Sequence, residues 1–455
     1  MKYKFPFGIL AFTVVLIITF TSAFSQQVTD AAQKGRYVII TLKEAFDTKV
    51  TITPFDGLRA VKSVAEFNGL RKGESCKLFV PEQYLPGEFV LRLDYRNKES
   101  DTPYPSEKNI FINQQDIELS INPPYCNNGD SAKFKEGEME NTVYNSFMLV
   151  NIKKRMQIDL LKQFLLAYDQ PEAKMYKIGC KEFEKRRNEY NQWLKNQTKS
   201  NQGLFVSSLF QFQYIPAIIW GGSDEDRIKQ LMKTFLDGID FNDTLIVRSR
   251  ELNKRMSDFM GLFGAKASTY EMRDSIFTEA GSLACDKASK GHPKVYGWMV
   301  DYFYNGYETY KIDKGMLMLK KHLENPKCLT TKKQQIFKRL EGMKTLIPGK
   351  LSPNFLLNDN ENNIFNFHNY NGKTKFKLLL FLSADCNHCE ELIESLSKRY
   401  SLNENQKLIV IVAVSLDNTE SEVKKWNNKI LNLSAWKHIR AIVSVNFRLQ
   451  LTIQF

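Results

Sequence analysis

Past its first 25 residues this sequence lacks any apolar run approaching the ~20 residues that a membrane-spanning helix needs, which excludes a polytopic membrane protein. Cysteine is scarce. Seven in 455 residues are too few for a disulfide framework of this size, and the odd number leaves at least one unpaired within a monomer. Apart from Cys386 and Cys389 they are scattered singly, at Cys76, Cys126, Cys180, Cys285 and Cys328, with Cys285 and Cys328 the candidates for a structural bridge. No other closely spaced Cys or His pair exists, so two ligands of a zinc site are missing and no metal is expected. Proline stops at Pro353, which excludes an X–Pro cis peptide from everything that follows. No internal repeat or low-complexity tract is present.

What is present suits globular domains: 43% hydrophobic and 25% charged residues. A chain of 455 residues is too long for one ordinary core, so two to four domains of roughly 100 to 200 residues are expected. Met1 to Ser25 opens with Lys2 and Lys4, runs apolar from Phe7 to Phe20, and ends in Ala23-Phe24-Ser25 ahead of Gln26. A charged start, an apolar middle and small residues at the −3 and −1 positions describe a secretory signal peptide cut between Ser25 and Gln26. The alternative, a retained anchor helix, needs a longer run than Phe7 to Phe20 supplies. Export to the periplasm or cell envelope follows, with no membrane span after the cut. Losing Lys2 and Lys4 takes the 64 basic residues to 62 against 51 acidic ones, a formal charge of +11. The basic clusters Lys153-Lys154-Arg155 and Lys185-Arg186-Arg187 lie in helical-period segments and suit solvated faces, so no nucleic acid is expected.

Residues 26–125 have the pattern of short strands. Val38-Ile39-Ile40, Lys49 to Thr53, Lys77 to Val80, Glu88 to Tyr95, Asn109 to Asn113 and Asp116 to Ile121 are apolar or alternating, separated by Pro and Gly. Phe89, Leu91, Leu93 and Tyr95 mark one apolar face, with Glu88, Arg92 and Asp94 largely on the other. A small β-sandwich packs such strands. In residues 126–347 the period changes to about 3.6, predicting an all-α domain. Leu149, Ile152, Met156, Leu160 and Phe164 mark one helical face. Ser223 and Asp226 form a capping box ahead of Ile228, Leu231, Met232 and Phe235. Further helices are predicted over Asp243 to Met260, Thr269 to Leu283, Val295 to Tyr304 and Lys332 to Met343, with Trp193, Trp220 and Trp298 as core aromatics.

After Pro348-Gly349, residues 348–455 alternate strands and helices. Phe376 to Leu382 and Leu408 to Val414 are apolar runs of the kind buried on both faces in parallel sheets. The helix between them begins with Glu390, Glu391 and Glu394, ends with Lys398 and Arg399, and carries Leu392, Ile393, Leu396 and Tyr400 on one face. A second helix covers Thr419 to Asn428. Cys386-Asn387-His388-Cys389 sits where the first strand gives way to the helix. There backbone N–H groups and the helix dipole favour a thiolate at Cys386, and a thiol one turn on can resolve a mixed disulfide. A non-catalytic structural disulfide has the same spacing. Protonated His388 would stabilise the Cys386 thiolate, whereas Asp385 would repel it.

Ser352-Pro353-Asn354-Phe355, the strand Lys377 to Ser383, Ala384-Asp385-Cys386-Asn387-His388-Cys389 and the strand Leu408 to Val414 resemble exported thioredoxin-like proteins of the TlpA/AhpC-TSA type. The domain order, and Pro86 to Leu91 with Asn109 to Ile121, resemble Bacteroidetes members with β-rich and helical domains upstream. The resemblance implies a thioredoxin-like α/β domain with Cys386 as nucleophile and Cys389 as resolving thiol. It implies no cofactor, protein thiols and disulfides as substrates, and a membrane or periplasmic electron donor. Two features depart from the family: Asp385 stands where an aromatic residue is usual, and no proline is available to face the cysteine pair. Arg440 to Phe455 alternates apolar and polar residues, as an irregular closing strand would. The other reading, and the one expected here, is a C-terminally truncated domain that lacks the family's closing strands and helix and has impaired exchange. The functional reading is an exported thiol-disulfide oxidoreductase. The alternative is a non-enzymatic envelope binding or scaffold protein with a vestigial thioredoxin-like domain.

Overall fold

The computed structural model describes residues 34–55, 57–58, 61–359, 363–370, 374–400 and 408–440. The expected signal peptide, its Ser25/Gln26 cut and residues 441–455 lie outside these. The chain divides into two compact units, Met1–Thr331 and Lys332–Phe455.

Among the described residues the first unit opens with eight strands: β1 (Gly35–Leu42), β2 (Asp47–Pro54), β3 (Ala65–Leu70), β4 (Ser75–Pro81), β5 (Gly87–Arg96), β6 (Tyr104–Ile112), β7 (Ile117–Ile121) and β8 (Ala132–Phe134). They form two four-stranded sheets, in the orders β4-β1-β7-β8 and β3-β2-β5-β6. Alternation builds the core. Val38, Ile40 and Leu42 of β1, Val50 and Ile52 of β2, Phe89, Leu91 and Leu93 of β5, and Ile117, Leu119 and Ile121 of β7 bury into one shared cluster. Each such side chain contributes about 1.5–3 kcal/mol of burial. This is the expected sandwich. The alternation missed β3, whose middle residues are exposed, and β8, which is only 3 residues long.

Glu88 is a correction. Alternation assigns it to the polar face, yet it is 2% exposed, because the helical part of the same unit covers that end of the sheet. Its carboxylate accepts from the Arg250 N–H at 2.8 Å and pairs with the Arg250 guanidinium at 2.6 Å. Burial nevertheless pushes its pKa up to about 7, and the Arg250 contacts only partly oppose this. A carboxyl raised from 4.5 to about 7 contributes stability that is fully present below pH 4.5 and is lost as pH rises through 7. Burial raises Glu251 in the same direction. The contribution of Glu88 to the unfolding midpoint of this unit is therefore expected to shrink between about pH 5 and pH 8, against an opposite contribution from His322, whose pKa burial lowers to about 4. In Glu88→Gln the Glu88 contribution is lost, which urea titrations at the two pH values would measure; an unchanged slope would assign it to other groups.

The helices of the first unit are α1 (Glu140–Ala167), α2 (Lys174–Ser200), α3 (Asp224–Thr234), α4 (Arg250–Gly264), α5 (Tyr270–Ala288), α6 (Pro293–Tyr310) and α7 (Asp313–Leu323). The capping box forms as expected, with Ser223 Oγ accepting from Asp226 N and the Asp226 carboxylate accepting from Ser223 N. The long helix predicted from Asp243 is two elements: a 3-10 segment Thr244–Arg248, then α4. Extended Ser249 separates them, its hydroxyl capping Glu251 N at 3.1 Å.

The predicted face of α1 is also corrected. Leu149, Ile152, Met156 and Leu160 are exposed, and Phe147, Asn151, Ile158 and Leu165 turn inward on the opposite side. Asn151 belongs in the interior because Tyr190 donates its hydroxyl proton to the Asn151 oxygen at 2.5 Å, and the Asn151 amide donates to Gln213 at 3.2 Å. A polar residue in the buried row hides it from a hydrophobic pattern. Trp220 and Trp298 are core residues as expected, and Trp193 stacks on Phe147. Cys285 and Cys328 are not bridged; Cys285 is completely buried within α5, and burial raises its thiol pKa.

The second unit contains α8 (Lys333–Thr345), β9 (Leu356–Asp359), β10 (Ile364–Asn366), β11 (Phe376–Leu382), α9 (Asn387–Tyr400), β12 (Ile409–Ser415), α10 (Glu420–Ile430) and β13 (Lys437–Arg440). Its sheet runs β10-β9-β13-β12-β11, with β11, β12 and β13 parallel and β9 antiparallel to β13 and β10. One face packs Phe355, Leu357, Phe365, Phe367, Val412, Val414 and Ile439. The other packs Leu382, Ala384, Ile411, Ala413, Trp426, Leu433 and Trp436. The apolar run of β12 is buried on both faces as expected. That of β11 is only half-buried, since β11 is the sheet edge among the described residues, with Phe376 and Phe381 exposed.

Candidate functional site

The site grows from the β11–α9 junction. β11 is held to β12 in parallel register, Leu382 opposite Ser415, and Ser383-Ala384-Asp385 carry the chain into α9. Cys386 stands immediately before Asn387, the first residue of α9, in the N-cap position. Cys386 Sγ accepts from Cys389 N at 3.2 Å, and its carbonyl accepts from Glu390 N at 3.2 Å. An N–H group of the first helical turn aimed at sulfur favours the thiolate over the thiol. Cys389 is disulfide-bonded to Cys386, with Cα atoms 5.2 Å apart, inside the roughly 4.4–6.8 Å window for such bonds. Cys389 packs against the core cluster around Trp426, together with Ile393 and Leu396. His388 is exposed between the cysteines.

Three residues that the sequence reading did not single out hold this junction. Asp417, buried just past β12, accepts from Ser383 Oγ and from Ala384 N, both at 2.9 Å, and from Ser415 Oγ at 2.7 Å. It ties the loop before Cys386 to the neighbouring strand. On α10, Lys425 pairs with Asp385 at 2.7 Å, and Lys429 donates to the Ala384 carbonyl at 2.8 Å. A capping box starts that helix, with Thr419 Oγ1 accepting from Glu422 N. The signal for Asp417 was present in Ser415-Leu416-Asp417, a hydroxyl and a carboxylate at the end of a buried strand. No pattern along the chain pairs Lys425 with Asp385.

Among the described residues no group of three or more His, Cys, Asp or Glu side chains is placed to hold a metal ion. Among the same residues no helix is long and apolar enough to cross a membrane.

A parallel strand–helix–strand unit with a paired cysteine at the helix N-terminus defines a thioredoxin-like domain. Residues 348–449 match the AhpC/TSA family, and this part of the chain is similar to domains of that family. The chain is also similar to a solved thioredoxin-like protein from Bacteroides caccae, at 17% identity over 53% of this chain and 85% of the other, with a TM-score of 0.35. None of the curated proteins matches it. A domain of this family supports a redox function acting on protein thiols in general.

Proposed function

We propose that this protein is an exported thiol-disulfide oxidoreductase of the periplasm or cell envelope, acting through Cys386 and Cys389. The observation that carries the reading is the cap geometry, in which Cys386 Sγ accepts the Cys389 N–H at the start of α9 while bonded to Cys389. In the reduced protein the Cys386 thiolate attacks one sulfur of a substrate disulfide, forming a mixed disulfide, and the second substrate sulfur leaves and takes up a proton. The Cys389 thiol then loses its proton and attacks Cys386. The first substrate sulfur leaves as a thiol and the Cys386–Cys389 bond re-forms. Two electrons and two protons pass to the substrate, and a dithiol electron donor restores the reduced pair.

A small disulfide needs no docking groove, so glutathione tests the pair directly. In mixtures of reduced and oxidised glutathione, Cys386 and Cys389 are expected to pass together between two alkylatable thiols and none. Cys386→Ser is expected to remove this two-thiol transition. Thiols that stay alkylatable at every ratio, or a bond that never opens, would leave the scaffold reading standing in its place.

A further inference from the structure

The residue before Cys386 is an aspartate, whose negative charge opposes formation of a thiolate at the next position. The structure places a cation on it. Lys425 Nζ lies 2.7 Å from Asp385 Oδ1, and the interaction pulls the Lys425 ammonium above its ordinary pKa. Both side chains are about half exposed, and an isolated surface pair of this kind adds little to stability. Its position, rather than its strength, matters here. Trp426, next in sequence, is buried at 1% exposure in the cluster that also contains Leu382 and Ala384, so α10 is anchored to the loop that carries Asp385. One turn further, Lys429 bonds the Ala384 carbonyl and lies 3.4 Å from Glu390. The charged and titratable groups around the pair include Asp385 on the loop, His388, Glu390 and Glu391 on α9, Lys425, Lys429 and Glu422 on α10, the last also acting on Lys425, and Asp417 past β12. Asp417 is turned onto Ser383, Ala384 and Ser415. Glu422 caps its own helix.

We infer that Lys425 is a positioning residue for the redox pair: by holding and neutralising Asp385 it keeps the Cys386 thiolate accessible near neutral pH. The inference rests on Cys386 being the redox nucleophile. It makes Asp385 and Lys425 a compensated pair, the departure at 385 being balanced 40 positions along the chain. A less stable thiolate weakens the reduced state, so losing Lys425 makes the pair more reducing as well as less nucleophilic at neutral pH.

The experiment measures the Cys386 pKa from the pH dependence of its alkylation rate in the full chain carrying Cys389→Ser, at low salt. Lys425→Met is expected to raise it by about half a pH unit, and Asp385→Asn to lower it by a similar amount. Lys425→Met combined with Asp385→Asn is expected to return close to the starting value, and Lys425→Arg to stay there. In the intact pair, Lys425→Met is expected to shift the glutathione equilibrium roughly threefold toward disulfide. Should Lys425→Met fold poorly, Asp385→Asn and the double variant still decide the matter. Unchanged pKa values across these variants, with Cys386 still titrating and alkylating, would overturn the role of Lys425 and leave the oxidoreductase reading intact. A Cys386 that shows no titrating reactivity in the parent protein would overturn both.

Discussion

Incubated with an oxidised protein substrate, Cys389→Ser is expected to accumulate a mixed disulfide at Cys386, at about tenfold or more above the parent protein. The parent resolves that intermediate by attack of Cys389 on Cys386, one helical turn away, and serine cannot perform the step. Cys386→Ser is expected to trap little. The two sulfurs differ in surroundings: Cys386 stands in the N-cap position of α9 and receives an amide proton on its sulfur, whereas Cys389 packs into the cluster around Trp426. The first environment favours a thiolate, and the second is apolar and disfavours charge. Non-reducing electrophoresis followed by peptide mapping reads the result, and equal trapping by Cys386→Ser would reverse the assignment of the two roles.

Asn141→Ala is expected to destabilise the first unit on the order of 3 kcal/mol, since two buried backbone groups lose their partner at roughly 1–3 kcal/mol each. Asn141 is 2% exposed at the start of α1. Its side-chain oxygen accepts from Phe111 N and its amide donates to Phe111 O, both at 2.9 Å, so that it pairs with β6 as a strand would. The neighbouring Glu140 accepts from Phe205 N and Val206 N at 2.9 and 3.0 Å, joining the same corner to the 3-10 segment Phe205–Gln213. Alanine would leave the Phe111 N–H and C=O without the Asn141 side chain and too enclosed for water to replace it fully. Urea unfolding followed by the fluorescence of the first unit's tryptophans measures the loss. A change below about 1 kcal/mol would mean that apolar packing holds the helices to the sandwich with little help from this bond pair.

The sandwich strands were legible because one side of each faces a common core, so that Val38, Ile40 and Leu42, or Ile117, Leu119 and Ile121, appear as period-two rows. Where a strand has no such asymmetry, as in β3, its place is set by backbone pairing to β2 and leaves no trace in hydropathy. The α1 helix failed for the converse reason. It has an apolar row on each side, and the row with the more regular spacing lies in solvent while a row interrupted by Asn151 is buried. Hydropathy ranks transfer from water and does not see that an asparagine with satisfied hydrogen bonds can be buried at little cost. Glu88 was misassigned similarly, because the helices that cover it arrive from more than 150 residues away.

What the sequence determined by itself was whatever depends on neighbours within a turn or a strand. The cysteine pair at a strand-to-helix junction, the Ser223–Asp226 capping box, the alternating strands and the acidic start of α9 all follow from spacings of two to four residues, over which the backbone geometry is already known. Tertiary structure decided which groups surround the cysteines. Asp417 reaches Ala384 because β12 lies beside β11, and Lys425 reaches Asp385 because Trp426 seats α10 in the core under Leu382 and Ala384. Those contacts span 33 and 40 positions. They exist only once sheet order and helix packing have brought the segments together, since a side-chain partner at that separation is chosen by the packed core and not by any local preference of the chain.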